Sequence, residues 1–170
     1  MAFESHIRRG HPIIFSLLAL FGIIELALSA WLTARFDRFH DYSDISERDR
    51  VRFTLFASIW TVVSSILFGV LFTVHSTASA ATSIISHVVW SVLSWIIWTA
   101  AAAAVTEMLG GGLNCNDVTG FNYCGQLNAL EAFAWIEWIL TTFAVIVVLI
   151  CAISAARRGD GYRGGLVSQY

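Results

Sequence analysis

Apolar positions in this chain gather into four long runs parted by polar connections. The runs are His11 to Ala34 (HPIIFSLLALFGIIELALSAWLTA), Phe53 to His75 (FTLFASIWTVVSSILFGVLFTVH), Ser83 to Leu109 and Leu127 to Ser154. Each exceeds the roughly 20 residues a helix needs to cross about 30 Å of hydrocarbon. A segment inside lipid must satisfy its own backbone hydrogen bonds, so each run is read as a helix. A β-barrel would show alternating segments of about 10 residues, and that period is absent from the sequence. The pattern predicts an all-α membrane protein, an antiparallel four-helix transmembrane bundle of the left-handed kind. Its helices are expected at about 11–34, 53–75, 83–109 and 127–154.

The connections differ in kind. Residues 35–52 are densely charged, whereas 76–82 (STASAAT) are small and uncharged. Residues 110–126 form a glycine-bounded polar loop with two cysteines, and residues 156–170 form a polar, glycine-rich tail expected to be flexible. Short links make neighbours in sequence neighbours in space, running antiparallel. Four crossings put both termini and the 76–82 link on one side. The first run also carries Arg8 and Arg9 ahead of it, as a signal peptide would, but it is longer than the roughly 7–15 apolar residues of a signal core. It is therefore expected to stay as a helix.

Composition agrees with a bilayer. Of 170 residues 57% are hydrophobic and only 13% charged, with seven Trp and twelve Phe. So few polar residues could not cover a water-soluble domain of this size. All ten basic residues are arginine. They divide almost evenly between the two sides, so the positive-inside rule does not orient the chain. No basic face suited to nucleic acid is present.

The cysteines orient it instead. Cys115 and Cys124 share a loop that has no basic residue, while Cys151 stands alone in the fourth run. A loop pair persists as a disulfide only in an oxidising compartment. A bridge here predicts a small disulfide-closed extracellular or lumenal loop and cytosolic N- and C-termini. The alternative is two unlinked thiols. Their spacing is too wide for CxxC redox chemistry, and nothing nearby completes a zinc set. No metal or cofactor is expected.

Polar residues within the runs are the candidate sites. Glu25 is the deepest acid of the first run, Glu137 lies well inside the fourth, and Glu107 and Glu131 lie nearer the cysteine loop. A carboxylate at mid-membrane costs several kcal/mol on insertion scales, so it faces the bundle and finds a partner or takes a proton. His87 is a candidate partner. It shares a helical stripe with Ser91, Ser94 and Trp98. Two roles are open to Glu25, His87 and Glu137. They line a path for protons, ions or a small solute, or they are interhelical hydrogen bonds worth about 1 kcal/mol each. The second is preferred, because no run is broken at mid-membrane and no inverted repeat is visible. Small residues, such as Ala100 to Ala104 and Gly22, allow close helix approach. Trp31, Trp135 and Trp138 suit an interfacial belt, and Trp60, Trp90, Trp95 and Trp98 suit packing or sterol contact. No nucleophile–base pair or phosphate loop is visible, so an enzyme is not expected.

Taken together, these features resemble a known family. The strings that carry the likeness are Arg8-Arg9-Gly10-His11-Pro12, Ser46-Glu47-Arg48-Asp49-Arg50-Val51-Arg52-Phe53, Gly110-Gly111-Gly112-Leu113-Asn114-Cys115, Tyr123-Cys124-Gly125-Gln126-Leu127-Asn128-Ala129-Leu130-Glu131 and Ala155-Ala156-Arg157-Arg158-Gly159-Asp160-Gly161-Tyr162. The chain is similar to MARVEL-domain proteins, more closely to fungal ones, over residues 1–155. Claudins and tetraspanins place their cysteines differently. The resemblance implies a non-catalytic multipass protein that organises or scaffolds membrane domains, in vesicle trafficking or membrane apposition, at the plasma membrane or in the secretory pathway. It implies partners among membrane lipids of the sterol or sphingolipid kind, other membrane proteins and copies of itself. The alternatives are a small proton, ion or solute channel or transporter using the intramembrane Glu and His, and an accessory subunit of a larger membrane complex.

Overall fold

A backbone removed from water must pair its own N–H and C=O groups, and uninterrupted apolar runs without glycine-rich breaks do so as helix. The computed structural model describes residues 2–74, 84–116 and 121–158. Within them the chain forms α1 (Ala2–Phe39), α2 (Ile45–Val74), α3 (Ile84–Leu109) and α4 (Cys124–Arg158). Each contains a stretch long and apolar enough to cross a membrane: Ile13–Phe39, Ile45–Val70, Ile85–Leu109 and Cys124–Ser154. The 76–82 link, His75 and the tail from residue 159 lie outside the described residues.

The helices are longer than the apolar runs. The charged segment expected as a connection at 35–52 is mostly helix, and the link shrinks to residues 40–44. Charge does not end a helix that has reached the headgroup region; it only changes what the side chains face. Arg35 lies over the rings of Trp31 and Phe39, and Arg52 pairs with Asp37 at 2.6 Å across the two helices. What ends α1 is His40, in the left-handed region at φ 54°, with its N–H bonded to the Phe36 carbonyl at 3.0 Å. What starts α2 is Glu47, whose carboxylate accepts both the Ser43 backbone N–H, at 2.7 Å, and the Ser43 hydroxyl. At the end of α3, Gly110 and Gly111 take positive φ and the Gly111 N–H reaches the Thr106 carbonyl at 3.1 Å.

The four helices surround one axis. α1 packs on α2 and α4, and α3 packs on α4 and, less extensively, on α2. The interior is layered along the axis. Toward the disulfide loop it is aliphatic and aromatic: Leu32, Phe36, Val51, Val105, Leu127 and Leu130. At the opposite, terminal end Phe15, Leu18 and Trp90 pack with Trp60 and Phe68. Between them the apolar filling is mostly alanine, Ala57, Ala101, Ala102 and Ala134, with Trp98. Large apolar side chains such as Leu20, Ile66, Ile96 and Phe143 instead point outward. This inverts the order of a water-soluble bundle, as a lipid solvent requires.

Candidate functional site

The alanine layer leaves room for polar groups, and every helix supplies them. On α2, Thr54, Ser58, Thr61 and Ser65 recur at helical spacing and all face inward. On α3 the stripe His87, Ser91, Ser94 and Trp98 is buried along its length. α1 contributes Glu25 and Ser29, and α4 contributes Glu137 and Thr141.

Most of the hydroxyls spend their proton on their own helix. Ser29 donates to the Glu25 carbonyl at 2.7 Å, Ser58 to the Thr54 carbonyl at 2.8 Å and Thr141 to the Glu137 carbonyl at 2.9 Å. Such back-bonding removes an uncompensated donor from lipid and leaves the oxygen as an acceptor. Tryptophans use those acceptors to join helices. Trp98 Nε1 donates to Thr61 Oγ1 at 2.8 Å, and Trp60 Nε1 to Ser94 Oγ at 3.0 Å, so α2 and α3 exchange indole bonds. Trp95 reaches Thr142, Trp138 reaches Thr99 and Trp135 reaches Thr106, all between α3 and α4. From the sequence, Trp135 and Trp138 are expected in an interface belt, and Trp60, Trp90, Trp95 and Trp98 in packing or sterol contact. Five of these six, all but Trp90, aim an indole N–H at a hydroxyl on the next helix. The signal was a Thr or Ser at matching depth on the neighbouring run, which needs the helix pairing to be seen.

Glu25 and Glu137 come together. Both are fully buried, on helices that pack against each other. Gly22, one turn before Glu25, makes the approach possible: a Cβ there would lie 3.1 Å from Val62 Cγ2 and 3.4 Å from Glu137 Oε1. All four carboxyl oxygens lack a hydrogen-bond donor among the described residues. His87, the expected partner, instead lies among the rings of Phe15 and Phe68 toward the terminal end.

The other acids belong to the disulfide end. Glu107 is exposed and pairs with Arg50 at 3.1 Å, while Arg50 also donates to the Ala104 carbonyl. Glu131 is 8% exposed on α4, one helix face away from the pair. Cys115 and Cys124 are disulfide-bonded, and Cys124 is the first residue of α4. Beside the bridge, the Asn128 side chain accepts the Leu113 N–H at 2.9 Å and donates to the Leu113 carbonyl at 2.7 Å. Asn122 donates to the Asp41 carbonyl, and the Tyr123 hydroxyl donates to the Asp41 carboxylate, which ties this loop to the α1–α2 link. That hydrogen bond, followed by desolvation and the Asp41 charge, pushes the Tyr123 hydroxyl above the ordinary tyrosine pKa. Tyr123 and Asn128 stand in the sequence reading only within a family string, without a contact, and the partner of Tyr123 lies 82 residues away.

Among the described residues no group of three or more His, Cys, Asp or Glu is placed to hold a metal ion. Between α2 and α3, on the lipid-facing side, lies a groove of about 640 Å³ walled by apolar residues, including Phe56, Val63, Val89 and Leu93, with Trp60 and Trp90. The family model of the MARVEL membrane-associating domain matches residues 6–147. Nothing matches among curated proteins or among solved structures.

Proposed function

From the match over most of its length the chain belongs to the MARVEL family of membrane-associating domains, and we propose that it is a non-catalytic, fungal-type member that organises or scaffolds membrane domains. The observation that carries this is the surface: bulky aliphatic and aromatic side chains cover the outside of all four helices, while hydroxyls and acids are buried inside among the apolar core. A surface of that kind has lipid and other helices as its only partners. Lateral contact is the work it can do. The groove between α2 and α3 supports lipid as one partner, since an acyl chain or a sterol ring system meets the same apolar wall chemistry. The oxidised Cys115–Cys124 loop supports an exterior or lumenal placement for that end, with both termini cytosolic, in the plasma membrane or the secretory pathway.

Native mass spectrometry of the protein released from lipid nanodiscs tests this. The expected result is an oligomer, or a complex with another membrane protein, that retains lipid. A lone monomer stripped of lipid under gentle activation overturns it. One observation favours a second role, as a small channel or transporter: the carboxyls of Glu25 and Glu137 inside the bundle. Ion flux into liposomes that disappears in Glu25→Gln or Glu137→Gln would assign that role instead.

A further inference from the structure

We propose that Glu25 and Glu137 form an exchangeable cation site at the centre of the bundle, taking a proton or an alkali-metal ion. The site does not depend on the scaffolding role, nor on any flux.

Donor and acceptor chemistry is the ground for it. Two glutamates on facing helices present four oxygens that are buried and receive no donor from the described residues. The hydroxyls one turn along, Ser29 on α1 and Thr141 on α4, have the same i to i+4 relation to their glutamate, and both have already given their proton to its backbone carbonyl. Thr61, which flanks Gly22 beside Glu137, accepts from Trp98. None of these hydroxyls donates to a carboxyl oxygen of either acid.

Charge balance points the same way. The ionisable groups on α2 that the structure describes, from Glu47 to Arg52, lie in its first turns at the disulfide end. There Arg50 is engaged by Glu107, and Arg52 by Asp37. On α1, Arg35 is stacked on Trp31 and Phe39 at the same end. On α3, Glu107 is exposed and His87 sits in the aromatic layer. On α4, Glu131 lies toward the disulfide loop and Arg157 at the far end. Among the described side chains no arginine reaches the pair. Two like charges in an apolar interior without a counter-charge cost several kcal/mol each. A positive charge brought from solution removes that cost. A proton needs one oxygen, and an alkali ion can use the carboxyl oxygens with the hydroxyl lone pairs. Exchange between the two breaks one carboxyl O–H bond and releases one proton for each alkali ion bound.

Infrared spectroscopy of the full chain in lipid nanodiscs tests this, in water and deuterium oxide, across pH, with sodium, potassium or choline chloride at equal ionic strength. A C=O band of protonated carboxyl is expected in the wild type, shifting in deuterium oxide and absent in the Glu25→Gln/Glu137→Gln double variant. If an alkali ion is the occupant, sodium or potassium bleaches the band and choline does not, with one proton released per ion. If only a proton binds, the band survives in all three salts and is lost as pH rises. Either result supports the site. A band that ignores deuterium oxide, pH and salt overturns it, as does the lack of any such band together with no response to sodium or potassium. Gly22→Ala keeps both acids and crowds Glu137, so it tests the placement even if the double variant fails to fold. Its band should move or change its cation response, and an unchanged spectrum overturns the placement.

Discussion

The disulfide end of the bundle and its middle handle polar groups in opposite ways. At the disulfide end, Asp41, Asn122, Tyr123, Asn128 and the Leu113 backbone are joined to one another, a covalent bridge closes the same loop, and the arginines there have carboxylates or aromatic rings against them. In the middle, Glu25 and Glu137 face each other with no donor among the described residues. Water is near the first region and can substitute for an imperfect partner. It is far from the second, where an unmet carboxyl oxygen bears its full desolvation cost. The contrast separates groups that hold the fold together from groups that the fold has to hold.

The largest test of that division is at the bridge. Replacing both Cys115 and Cys124 by Ser should lower stability by about 3 kcal/mol, from the chain entropy of a loop this short. Thermal unfolding in detergent measures it, and a loss confined to the α3–α4 hairpin should appear in hydrogen exchange. Next comes the middle, where the sign reverses. Glu25→Leu/Glu137→Leu should raise stability by roughly 2 kcal/mol, since it removes two buried acids whose oxygens have no donor and so carry an uncompensated desolvation cost. A drop in melting temperature would show that the acids are structural after all and erase the contrast.

Asn128→Ala should cost about 1 kcal/mol for the two bonds to Leu113, with faster exchange of the Leu113 amide as its signature. The smallest effect belongs to Tyr123. The folded state holds its hydroxyl proton more tightly than the unfolded chain does. The stabilisation is therefore complete below the ordinary tyrosine value of about 10 and is lost as pH rises through the higher folded value. Tyr123→Phe should remove this alkaline loss, which a pH series of melting curves would detect.

How far the sequence reveals these two regions follows from what each depends on. Four apolar runs of sufficient length identify the spans, because the bilayer imposes a length on any helix that crosses it. Two cysteines in one polar loop identify the bridge, because they are close along the chain. Helix ends were misplaced at residues 35–52 because apolar runs mark the hydrocarbon and not the helix; the stop signals were His40 and the Ser43–Glu47 cap, both in polar sequence. The depth of Glu25 and Glu137 was legible, but their meeting was not. Which face of α1 turns to α4 depends on Gly22 and on packing among all four helices. The same limit hid the tryptophan-to-hydroxyl links, whose partners lie as far as 47 residues apart.

The Asn122 and Tyr123 bonds to Asp41 fasten the loop after α3 to the short link between α1 and α2. Each helical hairpin is thereby latched to the other at one end. Any sideways parting of the bundle must pivot about that latch, so the opposite end opens first.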